Sequence, residues 1–323
     1  MTARGQHIGL PRVRLALIAI SVAAGIALPF ITPNTFLLTV AGLALIYAIL
    51  AASWDLLIGF AGLVSFGHAG FFGLGGYAAA LITYYAGLSP WFGLPIGALA
   101  GGLLGVVIGV PTLRLRSVYL ALATLAFSES LRVVATNWYS LTRGSLGFNL
   151  HRTIFRLSGE AKSGYYLVLL IAIVSIGMIY IIARHTRLGM TFQAIRDDEM
   201  RARALGIDVI FYKVLAFSIS GFFAGLAGAL YTHYVGLISP AELGPTITML
   251  VVAMATIGGI GTILGPAFAA LLIYFASELL RMIGATYGQI AIGALLIFFV
   301  IVFPQGIAGW LARLRTTWLE IAK

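Results

Sequence analysis

Long apolar stretches separated by short polar intervals run along almost the whole chain. A hydrocarbon layer about 30 Å thick takes roughly 20 apolar residues per helix, so most of these stretches are long enough for one crossing. The pattern predicts ten spans, of which the eighth is short: residues 15–31, 36–58, 64–86, 91–110, 117–137, 164–183, 213–235, 246–259, 266–284 and 287–303. We therefore expect an all-α, polytopic membrane helix bundle with about ten transmembrane spans, including short or broken helices.

The distribution of basic residues predicts the orientation of these spans. With the N-terminus inside, fourteen of the 20 Lys and Arg residues lie on the cytoplasmic side and four lie in the outer loop 138–163. Because cytoplasmic loops carry the excess of Lys and Arg, we expect both termini to be cytoplasmic. If 246–259 is instead re-entrant, nine spans result and the C-terminus moves outside, against the basic residues of the C-terminal tail.

This topology divides the chain into three parts. A cytoplasmic segment at 1–14 precedes a transmembrane domain at 15–303, and a cytoplasmic tail follows at 304–323. Within the transmembrane domain, 138–163 is the outer, periplasmic loop and 184–213 is the long cytoplasmic one. The other cytoplasmic connections are short.

Composition supports a membrane protein and excludes other classes. The chain is 61% hydrophobic and 9% charged, whereas a soluble domain carries about 25% charged residues. The net charge of +10 is spread between apolar segments and not gathered on one face, which argues against nucleic acid as a partner and leaves membrane lipid. The absence of cysteine excludes disulfides and thiol nucleophiles.

No catalytic, cofactor or metal motif is present in the sequence. A phosphate-binding loop with its lysine, a G-x-S-x-G elbow and an H-E-x-x-H motif are all missing, and the five histidines are scattered. We expect no catalytic residue, no bound metal and no cofactor on this chain. An intramembrane enzyme would need an acid/base set deep in the bundle, and a self-sufficient secondary transporter would need a coupling-ion site.

Glycine-rich segments interrupt two of the apolar stretches, at 59–70 and 258–265. Broken helices expose free backbone groups, so such segments can flank a path for a polar solute. The alternative is that small residues let helices approach closely. The glycines that we expect to break helices are Gly59, Gly62, Gly67, Gly258, Gly259, Gly261 and Gly265.

Few polar side chains occur inside the predicted spans, and these are candidates for a solute path. Glu129 and Arg132 lie three residues apart on one helix face and form either a polar patch in the path or a structural ion pair. His68 is either a ligand or proton carrier, or a structural hydrogen-bonding residue. With these three, the candidates for the path are Ser65, His68, Tyr77, Glu129 and Arg132.

The polar interval 184–213 has the pattern of a docking element. Residues from about Met190 to Leu205 predict a helix too polar to span a membrane, with Gly206 placed as its C-cap. Ile195, Met200 and Leu205 supply apolar anchors among mixed charges. A solvated helix is the alternative. The residues that we expect to make contact with a partner are Ile195, Arg196, Asp197, Asp198, Glu199, Met200, Arg201, Arg203 and Gly206.

Four blocks of sequence, spaced over roughly 50–306, carry a resemblance to a known family. They are WDLLIGFAG at 54–62 followed by SFGHA at 65–69, YLALATLAF at 119–127, AIRDDE at 194–199 followed by ALGI at 204–207, and FPQG at 303–306. In these blocks the chain resembles the M-type inner-membrane permeases of branched-chain amino acid ABC importers. Two departures concern Asp55, where Asn is common after a small residue, and Arg143, where glycine is common.

The resemblance implies a heteromeric importer of the bacterial inner membrane. Its other parts would be a related H-type permease, two cytoplasmic ATPase subunits that use ATP and Mg, and a periplasmic solute-binding protein. The 190–206 helix would then be the coupling helix, seated in a groove of an ATPase subunit. Branched-chain amino acids are the expected solute, with urea, short amides or aromatic acids as alternatives and an ion-coupled secondary transporter as a more distant one.

Overall fold

The computed structural model describes residues 11–31, 34–112, 117–150 and 161–283, together with Gly293 and Gly306. The tenth expected span, 287–303, falls outside the described residues except for Gly293, as does the tail apart from Gly306. The helices of the described parts are α1 Pro11–Ile31, α2 Thr35–Asp55, α3 His68–Tyr85, α4 Pro90–Thr112, α5 Ser117–Asn137, α6 Tyr139–Thr142, α7 Ala161–His185, α8 Arg187–Asp197, α9 Glu199–Ala204, α10 Val209–Val235, α11 Pro245–Gly258 and α12 Leu264–Ile283.

The all-α membrane architecture is confirmed. Among the described residues, five helical segments are long and apolar enough to cross a membrane, and three shorter ones are apolar. The long segments are Thr35–Phe60, Pro90–Pro111, Val118–Asn137, Lys162–His185 and Val209–Val235. Each falls on an expected span. The third expected span is wrong at its start, because residues 62–67 are not helical and α3 begins at His68.

The core of the bundle forms where α10 packs against α3, α4 and α2. In lipid the hydrophobic effect does not drive helices together. Association of the helices therefore depends on close packing at small residues. A Cβ added at Gly225 of α10 would lie 2.4 Å from the carbonyl oxygen of Gly97 in α4, and one at Gly228 would lie 1.8 Å from that of Phe72 in α3. The helix backbones therefore touch, and glycine is required at these points.

A small cap closes one end of the bundle. Strand β1, Phe148–Asn149, pairs antiparallel with strand β2, Leu237–Ile238, with Phe148 opposite Ile238. The Phe148 ring also contacts the ring of Tyr84 at the end of α3, with the two rings tilted by 55° and their centroids 5.2 Å apart. The loop 138–163, as far as it is described, therefore folds against the connection that follows α10.

Helix α11 is a half-helix of 14 residues that runs from beside α5 toward the end of the bundle opposite this cap. It begins beside the middle of α5, where Ser128 Oγ donates to the Leu243 carbonyl at 3.0 Å. It ends in a turn, 259–263, that contacts Asp55 near the end of α2 and Arg184 near the end of α7. The segment between β2 and this turn thus links the cap to the end of the bundle where α2 and α7 end, and the choice between a crossing and a re-entrant segment at 246–259 stays a prediction.

Candidate functional site

The first glycine-rich segment forms a real break between α2 and α3. Residues Leu56–Phe60 make a single π-helical turn, a feature often found at functional sites. Gly62 then adopts a left-handed conformation with φ +69°, which a side chain would disfavour. Beyond it, Thr124 of α5 accepts the Phe66 N–H at 3.0 Å, so the broken segment is held against α5.

The residues of this break lie in the interior. The Ser65 carbonyl accepts a hydrogen bond from the indole N–H of Trp54 at 2.7 Å, and its hydroxyl oxygen accepts the Gly67 N–H at 3.2 Å. A Cβ at Gly67 would lie 2.7 Å from the Thr124 carbonyl oxygen. Ser65 therefore stabilises the break itself, and its place in a solute path stays a prediction.

His68 and Tyr77 are both enclosed by the chain. Nε2 of His68 lies 3.0 Å from Ser220 Oγ, whose hydroxyl donates to the Ser53 carbonyl at 2.6 Å. Tyr77 packs on Phe148 and is 4% exposed. Neither Nδ1 of His68 nor the Tyr77 hydroxyl has a hydrogen-bond partner among the described residues. These contacts give His68 a structural role between α3, α10 and α2, and its solute contact is untested.

Glu129 and Arg132 form an ion pair on α5. Arg132 Nε donates to both carboxylate oxygens, at 2.8 and 2.9 Å, and Nη2 makes a further contact with Oε1. The side chains remain about 40% exposed, since α5 has the smallest buried share of the five long helices. The structure thus contains the pair that the spacing predicts and leaves it accessible on the bundle surface.

The second glycine-rich segment is the turn between α11 and α12. Gly259 and Gly261 have φ of +101° and +82°, and Gly258 packs so closely on Gly265 that a Cβ would lie 2.3 Å from its carbonyl carbon. The turn leans on the first break, because a Cβ at Gly59 would lie 2.5 Å from the Gly261 nitrogen. The two interruptions that the sequence predicts separately therefore meet at one end of the bundle.

Asp55 joins these two interruptions and was not among the expected site residues. It is fully buried, and its Oδ1 accepts the Gly261 N–H at 2.6 Å while Oδ2 accepts the Ile263 N–H at 2.7 Å. The available signal was that Asp55 is the sole charged residue of the apolar stretch 35–60. A carboxyl group in such a position needs partners, but its sequence neighbours do not reveal them.

The polar interval 184–213 differs from its expected form. The single helix expected from about Met190 to Leu205 is wrong: α8 already begins at Arg187, and a break at Asp198 separates it from α9. Asp198 is extended, and its carboxylate accepts the N–H groups of Met200 and Arg201. The backbone of an N-cap residue is not helical, so Asp198 begins α9 and cannot continue α8. Gly206 follows the C-cap of α9 with φ +80°.

The side chains of this interval divide into inward and outward groups. Ile195 is 2% exposed and packs with Ala202 and Val209. The Ile195 side chain therefore holds α8 against α9 and the start of α10, and offers almost no surface of its own to a partner. Met200 and Leu205 are 78% and 79% exposed. Arg196 donates to the Gly59 carbonyl and to Asp197, and Lys213 of α10 donates to Glu199. Arg201 pairs with Asp198, and Arg203 lies exposed.

Arg143, which stands where glycine is common in the family, has the backbone conformation of a glycine. Its φ is +64°, in the left-handed region where glycine is favoured. The guanidinium lies 5.4 Å from the centroid of the Tyr84 ring and donates to the Tyr84 hydroxyl at 3.3 Å. These contacts fix the outer turn to the end of α3.

In the described part of the chain, no group of three or more His, Cys, Asp or Glu side chains is arranged to hold a metal ion. The polar groups that come together are hydrogen-bonded to backbone or paired with each other.

Comparison with known proteins gives one consistent family. The model described as branched-chain amino acid transport system / permease component matches residues 36–300. The high-affinity branched-chain amino acid transport system permease proteins LivM of Escherichia coli K12 and of Salmonella typhimurium are each 32% identical over 320 residues, covering 91% of this chain and 74% of theirs. LivH of Escherichia coli K12 is 26% identical over 286 residues, covering 81% and 91%.

Proposed function

The chain belongs to the branched-chain amino acid transport permease family, and on that premise we propose that it is the M-type permease subunit of an ABC importer for branched-chain amino acids. The observation that carries the proposal is the family match across 36–300, which includes both helix breaks and the cytoplasmic helices. As a multi-pass transport subunit of this family, the chain supplies half of a translocation path and not a catalytic centre. Membership in the family supports a location in the inner membrane.

Membership in this family implies the rest of the proposed importer. Two cytoplasmic ATPase subunits would bind ATP and Mg, and the missing phosphate-binding loop of this chain fits that division of labour. A related H-type permease supplies the other half of the path, in keeping with the similarity to LivH as well as LivM. A periplasmic solute-binding protein delivers the solute.

Helices α8 and α9 provide the surface that the ATPase subunits would contact. Three large apolar side chains, Met190, Met200 and Leu205, are more than half exposed in this short polar segment. Exposed methionine and leucine flanked by Arg201 and Arg203 suit a groove with apolar walls and an acidic rim. Ile195 stays on the inner side of this contact.

We propose that the α5 surface that carries Glu129 and Arg132 meets the second permease. Ionised side chains in transmembrane helices face protein or water in preference to lipid, so the α5 surface that carries them is expected to be covered in the assembled importer. Next to that surface, Ser128 of α5 donates to the carbonyl of Leu243, two residues before α11 begins. The exposure of the pair on α5 supports the proposal that it lines the path between the two permeases.

Uptake by the reconstituted importer tests the function. The chain is assembled in proteoliposomes with the permease, ATPases and binding protein encoded beside it, and entry of labelled leucine is measured with and without internal ATP. We expect ATP-dependent uptake that isoleucine and valine compete for. Competition by urea, short amides or aromatic acids alone would favour those solutes, and leucine counterflow without ATPases would favour a secondary transporter.

Cysteine labelling tests the orientation that this function requires. Ser145 is exposed in the outer turn, and the chain contains no cysteine that would react in the background. Ser145→Cys should react with an impermeant thiol reagent added from the periplasmic side. Reaction from the cytoplasmic side alone would invert the topology and refute the placement of α8 and α9 against ATPases.

A further inference from the structure

A movement of α8 and α9 has to reach the half-helix α11 before it can change the interior of the bundle. We propose that Asp55 is the positioning residue of that link: it fastens the turn 259–263 to the end of α2, so that α8, attached to the same end through Arg196, carries α11 with it. This inference rests on the proposed function, since it assumes that force enters at α8 and α9.

Both oxygens of Asp55 are used on one short turn. Oδ1 accepts the N–H of Gly261 and Oδ2 accepts that of Ile263, at 2.6 and 2.7 Å. The carboxyl group comes from α2 and the N–H groups come from the connection between α11 and α12, about 200 residues later in the chain. Because the side chain is fully buried, water does not compete for these bonds.

The same turn is held from its other side. Arg184, near the end of α7, donates to the Gly261 carbonyl at 2.7 Å, and its guanidinium lies 5.2 Å from the centroid of the Phe60 ring. The residue Gly261 is thus bound at its N–H by Asp55 and at its C=O by Arg184. Ile263 has φ +61°, a conformation that a β-branched residue keeps only when its surroundings impose it.

The input side of the link is the contact of α8 with the π-helical turn. Arg196 donates from Nη1 to the Gly59 carbonyl, and a Cβ at Gly62 would lie 2.7 Å from its Cγ. Gly59 in turn lies against Gly261, with no room for a side chain between them. A displacement of α8 therefore has a continuous route of packed and hydrogen-bonded groups: Arg196, Gly59, the Asp55-bound turn, and α11.

Substitutions at Asp55 separate this role from a merely structural one. Asp55→Leu keeps the approximate volume and removes both acceptors, whereas Asp55→Asn keeps one accepting oxygen. The matched control is Ser53→Ala, two residues away in α2, because the Ser53 hydroxyl bonds only to Leu50 of its own helix among the described residues. The readouts are leucine uptake and the ratio of solute-stimulated to unstimulated ATP hydrolysis in the reconstituted importer.

We expect the loss to follow the number of acceptors removed. Asp55→Leu should lower uptake at least about tenfold and bring the stimulation ratio close to one. Asp55→Asn should lose about half of the stimulation, because its amide NH2 faces a backbone N–H that a carboxylate oxygen had accepted, and Ser53→Ala should match the wild type. A folded Asp55→Leu importer with wild-type uptake and stimulation would overturn the link. If the wild type itself imports no leucine with ATP, the proposed function fails, whatever the variants do.

A double variant keeps the test valid if Asp55→Leu does not assemble. In a single route of transmission, Arg196→Leu already breaks the input, so adding Asp55→Asn should reduce the stimulation ratio no further. Independent reductions that add in the double variant would show that Asp55 and Arg196 act separately, and would overturn the proposal.

Discussion

The packing of α10 on α3 and α4 and the packing of the α8–α9 pair on the bundle work in opposite ways. In the first, glycine backbones touch, and Gly225 and Gly228 leave no space for a methyl group. In the second, charged side chains reach across to a neighbouring element, as Arg196 does to Gly59 and Lys213 does to Glu199. Backbone contact fixes a distance, whereas side-chain contact permits movement while the partners stay together. On the proposed function, the part of the subunit that stays rigid and the part that moves with the ATPase subunits are therefore built differently.

The largest expected effect is steric and lies in the rigid part. Gly228→Ala places a methyl group 1.8 Å from the Phe72 carbonyl oxygen, so α3 and α10 must separate. We expect a loss of at least about 3 kcal/mol of stability, seen as a lower unfolding temperature or loss of monodisperse protein in detergent.

The matched control for that change is Gly177→Ala in α7, where an added Cβ meets nothing within 4 Å among the described residues. Stability should stay unchanged or rise slightly, because alanine favours a helix over glycine. Equal unfolding temperatures for Gly228→Ala and the wild type would remove the contrast between the two regions.

Reversal of one charge in the movable part should have the next largest effect. Glu199→Lys places a like charge beside Lys213, whose side chain is 10% exposed while that of Glu199 is 47% exposed. We expect a cost of about 1–3 kcal/mol, between exposed and buried ion pairs, and a reduced stimulation of ATP hydrolysis by solute.

The exchange Glu199→Lys with Lys213→Glu sharpens this test. It restores opposite charges, so stimulation should recover at least in part. No recovery would mean that Glu199 acts through an ATPase subunit and not through α10. Single substitutions at Asp198 and Glu199 are preferable to a joint reversal, which would remove the α9 cap and this pair together.

A smaller effect is expected from the ion pair on α5. Glu129→Gln keeps the shape and removes the charge, so it should reduce leucine uptake severalfold while the complex still co-purifies. Ser130→Ala is the control, since the Ser130 hydroxyl bonds to Ala126 of its own helix. Uptake kinetics equal to the wild type in Glu129→Gln would make the pair structural.

The smallest effect concerns the cap of α9. Asp198→Ala removes the acceptor of two backbone N–H groups and should cost about 1 kcal/mol, with a modest loss of coupling. Asp198→Ser keeps a capping oxygen and should behave like the wild type. If both variants lose coupling equally, the Asp198 charge contacts a partner and is more than a cap.

Local patterns predicted much of this molecule. Span positions follow from the length of apolar stretches, and the Glu129–Arg132 pair follows from residues three apart on one helix, so both were accessible from the sequence. The break at Asp198 was missed because a polar helix and a capped pair of short helices have nearly the same composition. Helix breaks were predicted at Gly59 and Gly261, but not their contact.

The missing information is tertiary. Asp55 binds a turn about 200 residues away, and Lys213 binds Glu199 across the start of α10; neither pairing leaves a periodic signal. Ile195 was expected to face a partner because an isolated apolar residue in a polar helix looks the same whether it packs inward or outward. Only the position of α8 against Ala202 and Val209 decides between these.

The π-helical turn at Leu56–Phe60 makes the length of this segment critical. A π turn holds one residue more than a turn of α-helix, and each residue of an α-helix rotates the chain by about 100°. Deleting Ile58 would let the segment relax into regular α-helix and would swing the Gly59 carbonyl away from Arg196. A substitution of Ile58 should therefore disturb the contact between Gly59 and Arg196 less than a deletion of Ile58. The number of residues in the turn matters more than the side chain at this position.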